Sequence, residues 1–182
     1  MKRIVADATK CLACRACEVA CALSHAGTDD LVKAIFERGA TPRIYLESAG
    51  KLAVPLQCRH CDDAPCITVC PTRALWRSSL AEPVLVNQGK CIGCEFCVQA
   101  CPFGVIVLAK SSVPGAPDGK AVIKCDLCAD RLRAGLPPAC VSSCPVAALA
   151  FVEVDVNARK ARARTAARAI ASDTVAVQVT WV

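Results

Sequence analysis

The sixteen cysteines of this chain fall into four groups of four, with none left over. They are Cys11, Cys14, Cys17 and Cys21; Cys58, Cys61, Cys66 and Cys70; Cys91, Cys94, Cys97 and Cys101; and Cys125, Cys128, Cys140 and Cys144. A Cys-x2-Cys-x2-Cys run puts three thiolates on one tight loop, close enough to hold three corners of a cubane iron-sulfur cluster, and a fourth Cys follows three residues later. The first and third groups have this spacing without deviation. The second and fourth keep the opening Cys-x2-Cys and the closing Cys-x3-Cys-Pro around insertions. Pro71, Pro102 and Pro145 follow the last Cys of their groups, whereas the first group has Ala22 there.

Competing uses of cysteine fit less well. Structural zinc joins two Cys-x2-Cys pairs or adds His, and has no need of a third Cys two residues on. Disulfides suit a secreted chain, yet MKRIVADATK lacks the apolar stretch and cleavage site of a signal peptide, and no run of 18 apolar residues marks a membrane span. The chain reads as cytoplasmic, where thiols stay reduced until a cluster takes them.

The formal charge of +6 suggests nucleic acid, but the cysteines remove that reading. An oxidised cubane with four thiolates carries about −2, so four of them bring the total to about −2. The 54% of hydrophobic residues is inflated by Cys, and only 4% are aromatic, so the organic core is thin and folding is expected to be coupled to cluster insertion. Lys10, Lys90 and Lys124 each precede the first Cys of a group, where a cation offsets cluster charge; solvated surface lysines are the competing reading.

Internal repetition organises the rest. The first and third groups match at an offset of 80, and CITVCPTRAL (66–75) matches CVSSCPVAAL (140–149) at an offset of 74. Two ferredoxin-like units follow, and the residues allow either tandem or nested pairing. ALWRS with PVLVN, and RIYLES with KLAVPLQ around Ala49-Gly50, read as hairpins. Thr28 and Asp29 are expected to cap a short helix that carries Leu31, Val32, Ile35 and Phe36 on one face and stops at Gly39. SSVPGAPDGK (111–120) reads as a surface loop. The C-terminal segment predicts a basic helix over 157–172, with Arg159, Lys160, Arg162, Arg164 and Arg168, followed by an alternating strand that places Val175, Val177, Val179 and Trp181 on one face.

Catalytic candidates are scarce. His25 follows the helix of the first group, and His60 reads as a partly exposed turn residue, with a hydrogen bond to a cluster sulfur as its alternative role. No nucleophile stands beside a base, and no dinucleotide fingerprint follows a strand.

The stretches DATKCLACRACEVACALSH, PLQCRHCDDAPCITVCPTRAL, KCIGCEFCVQACPFG and KCDLCADRLRAGLPPACVSSCPVAAL resemble the signatures of four-cluster ferredoxin-like electron-transfer subunits of complex oxidoreductases, over roughly residues 3–152. That family serves formate dehydrogenases, formate hydrogenlyase, carbon monoxide dehydrogenase, dimethyl sulfoxide reductase and tungsten aldehyde oxidoreductases. The resemblance implies an α+β fold, a duplicated two-cluster ferredoxin with short hairpins and helices, plus the C-terminal helix and strand. It also implies nesting. An outer unit spans 1–56 with 105–155, an inner unit 57–104, and an extension 156–182.

Four 4Fe-4S clusters are then held by Cys11, Cys14, Cys17 and Cys144; by Cys58, Cys61, Cys66 and Cys101; by Cys91, Cys94, Cys97 and Cys70; and by Cys125, Cys128, Cys140 and Cys21. Ala13, Arg73 and Ala147 depart from the family, standing where glycine is frequent. The function implied is a non-catalytic relay between a catalytic subunit, first a tungsten or molybdenum pterin enzyme acting on aldehydes or formate, and a flavin subunit or soluble ferredoxin. A carbon monoxide dehydrogenase or hydrogenase partner is the alternative, and a free-standing polyferredoxin a further one. A wire open at both ends also allows head-to-tail contacts between copies, which build filaments where they do not close into a ring.

Overall fold

Strands from the two ends of the cysteine-rich span pair with each other. β1 (Lys2–Ala6) runs antiparallel to β8 (Leu149–Glu153), with Ile4 opposite Phe151 and Ala6 opposite Leu149. The computed structural model describes residues 2–111, 117–155, 158, 159, 162, 163, 165 and 166. The other pairings are local: β2 (Ile44–Ala49) with β3 (Leu52–Gln57), β4 (Leu75–Trp76) with β5 (Leu85–Val86), and β6 (Val107–Lys110) with β7 (Lys120–Ile123). Both hairpins expected from the sequence are present, the longer one turning at Gly50 with φ +61.

The helices are short, and a Cys-Pro step follows three of them. α4 (Phe96–Ala100) stops before Cys101, whose ψ of 113 is the extended conformation that a following proline, here Pro102, favours. The first group has Ala22 at that place, so α1 (Ala16–Ala26) runs straight through Cys21 and continues to Gly27, which caps it at φ +63. α3 (Pro65–Thr68), α5 (Ala129–Arg133) and α6 (Ala139–Ser142) are single turns beside the second and fourth groups.

α2 (Leu31–Phe36) forms where its apolar residues predicted it, with two corrections. Its N-cap is Asp30, whose carboxylate accepts from the Lys33 N–H at 3.0 Å, while Thr28 Oγ1 accepts from the Asp30 N–H. Its buried residue is Ala34, at 0% exposure, whereas Leu31, Val32, Ile35 and Phe36 all face solvent, Phe36 at 81%.

Two cores result, each built on cysteines from two groups. Ile4, Ile44, Leu127 and Leu149 pack with Cys17, Cys21, Cys125 and Cys140. Ala64, Leu75, Val84, Ile106 and Val122 pack with Cys66 and Cys97.

The contacts that close each core repeat. The Asp7 N–H donates to Ala148 O at 2.8 Å, and the Asn87 N–H donates to Ala74 O at 2.7 Å. Ala6 pairs with Leu149 as Val86 pairs with Leu75. These are the sequence offsets of 80 and 74 expressed as hydrogen bonds.

Of the expected tail helix, residues 158, 159, 162, 163, 165 and 166 are described and are helical; the strand over 174–182 lies outside the described residues. So do residues 112–116 of the expected surface loop, which ends in a 3-10 turn at Pro117–Gly119. Among the described residues no helix is long and apolar enough to cross a membrane.

Candidate iron-sulfur sites

Each Cys-x2-Cys-x2-Cys loop begins from a capped turn. Asp7 and Asn87, 80 residues apart, accept from the N–H groups of Thr9 and Gly89 at 3.2 and 3.1 Å, and each closes a 3-10 turn that delivers the chain to Cys11 or Cys91. The loops then take left-handed conformations at equivalent places: Ala13 at φ +57 and Gly93 at +68, Arg15 at +57 and Glu95 at +61. After the closing Cys-Pro, Arg73 (+53), Gly104 (+62) and Ala147 (+48) do the same. The departures from glycine at Ala13, Arg73 and Ala147 therefore leave the loop geometry unchanged and load it with strain of about 1–2 kcal/mol per residue.

These turns bring cysteines of different groups together. One cavity is lined by Cys11, Cys14, Cys17 and Cys144, beside Leu46, Pro55 and Leu149. A second is lined by Cys58, Cys61, Cys66 and Cys101, with His60, Val84 and Ile106. The thiols act on one another across the remaining two sets. Cys97 is pushed up to about 11, first by burial and then by Cys70, Cys91 and Cys94. Cys140 is pushed up to about 12 by burial, then by Cys21, Cys128 and Cys17. Burial is also the largest cause of the rise at Cys66, to about 11, where Cys58, Cys101 and Cys61 add to it.

Thiols so placed resist ionisation until a cationic core arrives, and the surrounding amides are already arranged for one. N–H groups of Arg43, His60, Val122, Leu127 and Ala148 point at Sγ of Cys21, Cys58, Cys91, Cys125 and Cys144, at 3.2–3.5 Å. At Cys70 and Cys144 burial is still the largest single influence, but several backbone N–H groups outweigh it and lower the thiol. Donors aimed at sulfur orient the ligand and stabilise its anionic form. The residues thus fit iron-sulfur cores by count, by donor chemistry and by the amides behind the donors.

The two histidines are more involved than the sequence indicated. His60 is buried, at 1% exposure, which corrects its reading as a partly exposed turn residue. Its Nδ1 accepts from the Val84 N–H at 3.0 Å, and Nε2 has no partner among the described residues. Burial, reinforced by Lys124 and Arg3, lowers the ring to about 3, so it is neutral with its proton on Nε2. An orphaned N–H beside a thiol-lined cavity suits a group that carries sulfide acceptors. His25 lies on the last turns of α1, four residues past Cys21 and so on the same helical face, a spacing from which the contact was readable. Its Nδ1 faces Cys21 O at 2.8 Å and its Nε2 faces Asp126 Oδ1 at 3.0 Å. Burial opposes the charged ring, but the hydrogen bonds to Asp126 and Cys21 outweigh it and raise His25 to about 9. Burial likewise raises Asp126, yet His25 and Arg43, the latter at 2.7 Å, hold that carboxyl well below its usual range. The pair ties α1 to the opening loop of the fourth group.

Lys10 and Lys90 are exposed, as surface lysines are, whereas Lys124 is fully buried.

Residues 49–154 match the model of the 4Fe-4S dicluster domain. The chain belongs to that family. Sixteen cysteines in a 4Fe-4S dicluster protein are the complement of four clusters. The chain is 41% identical over 174 residues to an iron-sulfur protein of Rhodospirillum rubrum, covering 91% of this chain and 90% of that one. It is 40% identical to the electron transport protein HydN of Escherichia coli, covering 82% of this chain and 87% of HydN. Identity to the thiosulfate reductase electron transfer subunit PhsB of Salmonella typhi is 39%, over 82% of this chain and 74% of PhsB. HydN and PhsB are thus named for electron transport and electron transfer.

Proposed function

We propose that this chain is the non-catalytic electron-transfer subunit of a cytoplasmic oxidoreductase complex, a nested pair of ferredoxin-like units that passes single electrons between a catalytic subunit and a second carrier. The observation that carries the reading is the cavity lined by Cys11, Cys14, Cys17 and Cys144, three residues from one end of the span and one from the other. In this assignment that set holds one 4Fe-4S cluster, and the others are held by Cys58, Cys61, Cys66 and Cys101, by Cys91, Cys94, Cys97 and Cys70, and by Cys125, Cys128, Cys140 and Cys21. The clusters supply one-electron carriers. The protein's part is to fix their order, to exclude water from the buried thiols and to direct amide dipoles at the sulfurs.

The outer unit, 1–56 with 105–155, corresponds to the core around Ile4 and Leu149, and the inner unit, 57–104, to the core around Leu75, which also takes in Ile106 and Val122. The repeated register of Ala6 with Leu149 and Val86 with Leu75 supports the duplication. The names of the relatives support electron transfer within oxidoreductases. A tungsten or molybdenum pterin enzyme acting on aldehydes or formate is the partner proposed on the family resemblance.

The test is metal and sulfide analysis of anaerobically purified protein, followed by affinity purification of the tagged chain from its own cells. About 16 iron and 16 sulfide per chain are expected, together with a catalytic subunit containing tungsten or molybdenum. Stoichiometric zinc with little iron overturns the electron-transfer reading. Full iron with no stable partner points to a free polyferredoxin.

A further inference from the structure

The buried cation beside the second cysteine set is unexplained by cluster ligation alone. Lys124 is 1% exposed, and its Nζ donates to the carbonyl oxygens of Val84 and, at 2.9 Å, Cys125. No carboxylate pairs with it among the described residues. Two carbonyl dipoles do not offset the loss of hydration of an ammonium, so an anion must stand close for the charge to remain in the interior. Cysteines flank it on both sides: Cys125 follows it in the chain, and a second set lies beyond Val84. Val84, whose carbonyl Lys124 bonds, lines the cavity that holds Cys58, Cys61, Cys66 and Cys101. Val84 joins the parts: its O accepts from Lys124, its N–H donates to His60 Nδ1, and the His60 N–H donates to Cys58 Sγ at 3.4 Å.

We infer that Lys124 is a fixed counter-ion of the set formed by Cys58, Cys61, Cys66 and Cys101, raising its reduction potential above that of an otherwise similar set. This rests on the proposed ligand assignment. Reduction adds one negative charge to that set with no bond made or broken, and a cation held nearby in a low-dielectric interior stabilises the more negative state. Lys10 and Lys90 hold the same place before their groups but are exposed to solvent, so their charges are screened. The wire would then contain one cluster that holds an electron more readily than its neighbours, positioned by the residue that opens the fourth group. Lys124 acts through charge and is a positioning residue rather than a ligand.

The test uses the full chain with its clusters. Lys124→Met and Lys124→Gln remove the charge at similar length, Lys124→Arg retains it, and Lys10→Met and Lys90→Met are controls; iron content and potentiometric EPR titration are the readouts. The neutral variants are expected to retain about 16 iron while one titrating signal shifts so that its reduced-to-oxidised ratio at fixed poise falls at least tenfold, which is about 59 mV for one electron. Lys124→Arg and both control variants should keep the wild-type titration. Loss of iron in the neutral variants with retention in Lys124→Arg also supports the inference, since charge is then what holds the site. Full iron with four unchanged potentials in the neutral variants overturns it, as does loss of iron in Lys124→Arg as well. A wild-type chain without about 16 iron would instead overturn the ligand assignment on which the inference stands.

Discussion

Iron counting on paired cysteine substitutions separates crossed from local ligation. In the crossed assignment Cys11 and Cys144 serve one cluster, because both line the same cavity. Cys125 and Cys144, although in one sequence group, then serve different clusters. Replacing Cys11 and Cys144 together by Ala removes ligands from a single site, so about 12 of 16 iron atoms should remain. Replacing Cys125 and Cys144 together touches two sites and should leave about 8. Ligation within each sequence group reverses these numbers. The inner unit provides an independent copy of the test: Cys66 with Cys101 should leave about 12, and Cys97 with Cys101 about 8, since Cys66 and Cys101 share a cavity while Cys97 responds to Cys70. The assay is colorimetric iron and sulfide per chain after anaerobic purification, with EPR of the dithionite-reduced protein to count paramagnetic clusters. If the pair Cys11 and Cys144 leaves about 8 iron while Cys125 and Cys144 leaves about 12, the crossed assignment is wrong. Equal losses in all four double variants would show that one missing cluster brings down its neighbours, which refutes independent occupancy.

Other substitutions test the fold around the sites. Gly104→Ala should destabilise the holo-protein by about 1 kcal/mol, read as a lower denaturant midpoint of the cluster absorbance, because a Cβ there meets nothing within 4 Å and only the left-handed backbone opposes it. Ala147→Gly, at the equivalent turn, should be neutral to slightly stabilising in the same assay, strain relief being partly offset by the greater freedom of glycine in the unfolded chain. Ile44→Ala and Leu75→Ala, each removing a side chain at most 2% exposed from one of the two cores, should each cost about 2–5 kcal/mol and speed bleaching on heating. Asp62→Ala breaks an ion pair with Arg3 whose carboxylate is largely exposed, so the midpoint should move by less than about 1 kcal/mol.

What the sequence made legible was the chemistry that repeats. Cysteine spacing, the offsets of 80 and 74 and the two hairpins all involve contacts that are local or duplicated, and the duplication showed two alike units while leaving their pairing open. What it hid depends on where a local segment lands. Lys10, Lys90 and Lys124 are alike in sequence, each one residue before a Cys, and only tertiary packing buries the third. His60 has the neighbours of a turn residue, yet the chain folds Val84 over it. The apolar stripe of α2 has the pattern of a core-facing helix, but the element is six residues long and docks through Ala34 instead. The left-handed backbone at Ala13, Arg73 and Ala147 could not be read from residue type, because alanine and arginine rarely adopt it.

That backbone bears on how strongly the fold is expected to depend on its metal. Nine non-glycine residues among those described have positive φ: Ala13, Arg15, His60, Ala64, Arg73, Glu95, Leu127, Cys128 and Ala147. Every one lies within a cysteine group or three residues past its last Cys. At about 1–2 kcal/mol each they amount to roughly 9–18 kcal/mol of strain, comparable to the whole net stability of an ordinary domain. Burial then opposes ionisation of Cys17, Cys66, Cys97, Cys125 and Cys140 as well. A thin core cannot offset both. Ligation of structural zinc in a small peptide contributes about 10–16 kcal/mol, enough to offset strain of that order, and cluster insertion is expected to act in the same direction. Removing the iron by chelation should therefore release the strained loops together rather than one turn at a time.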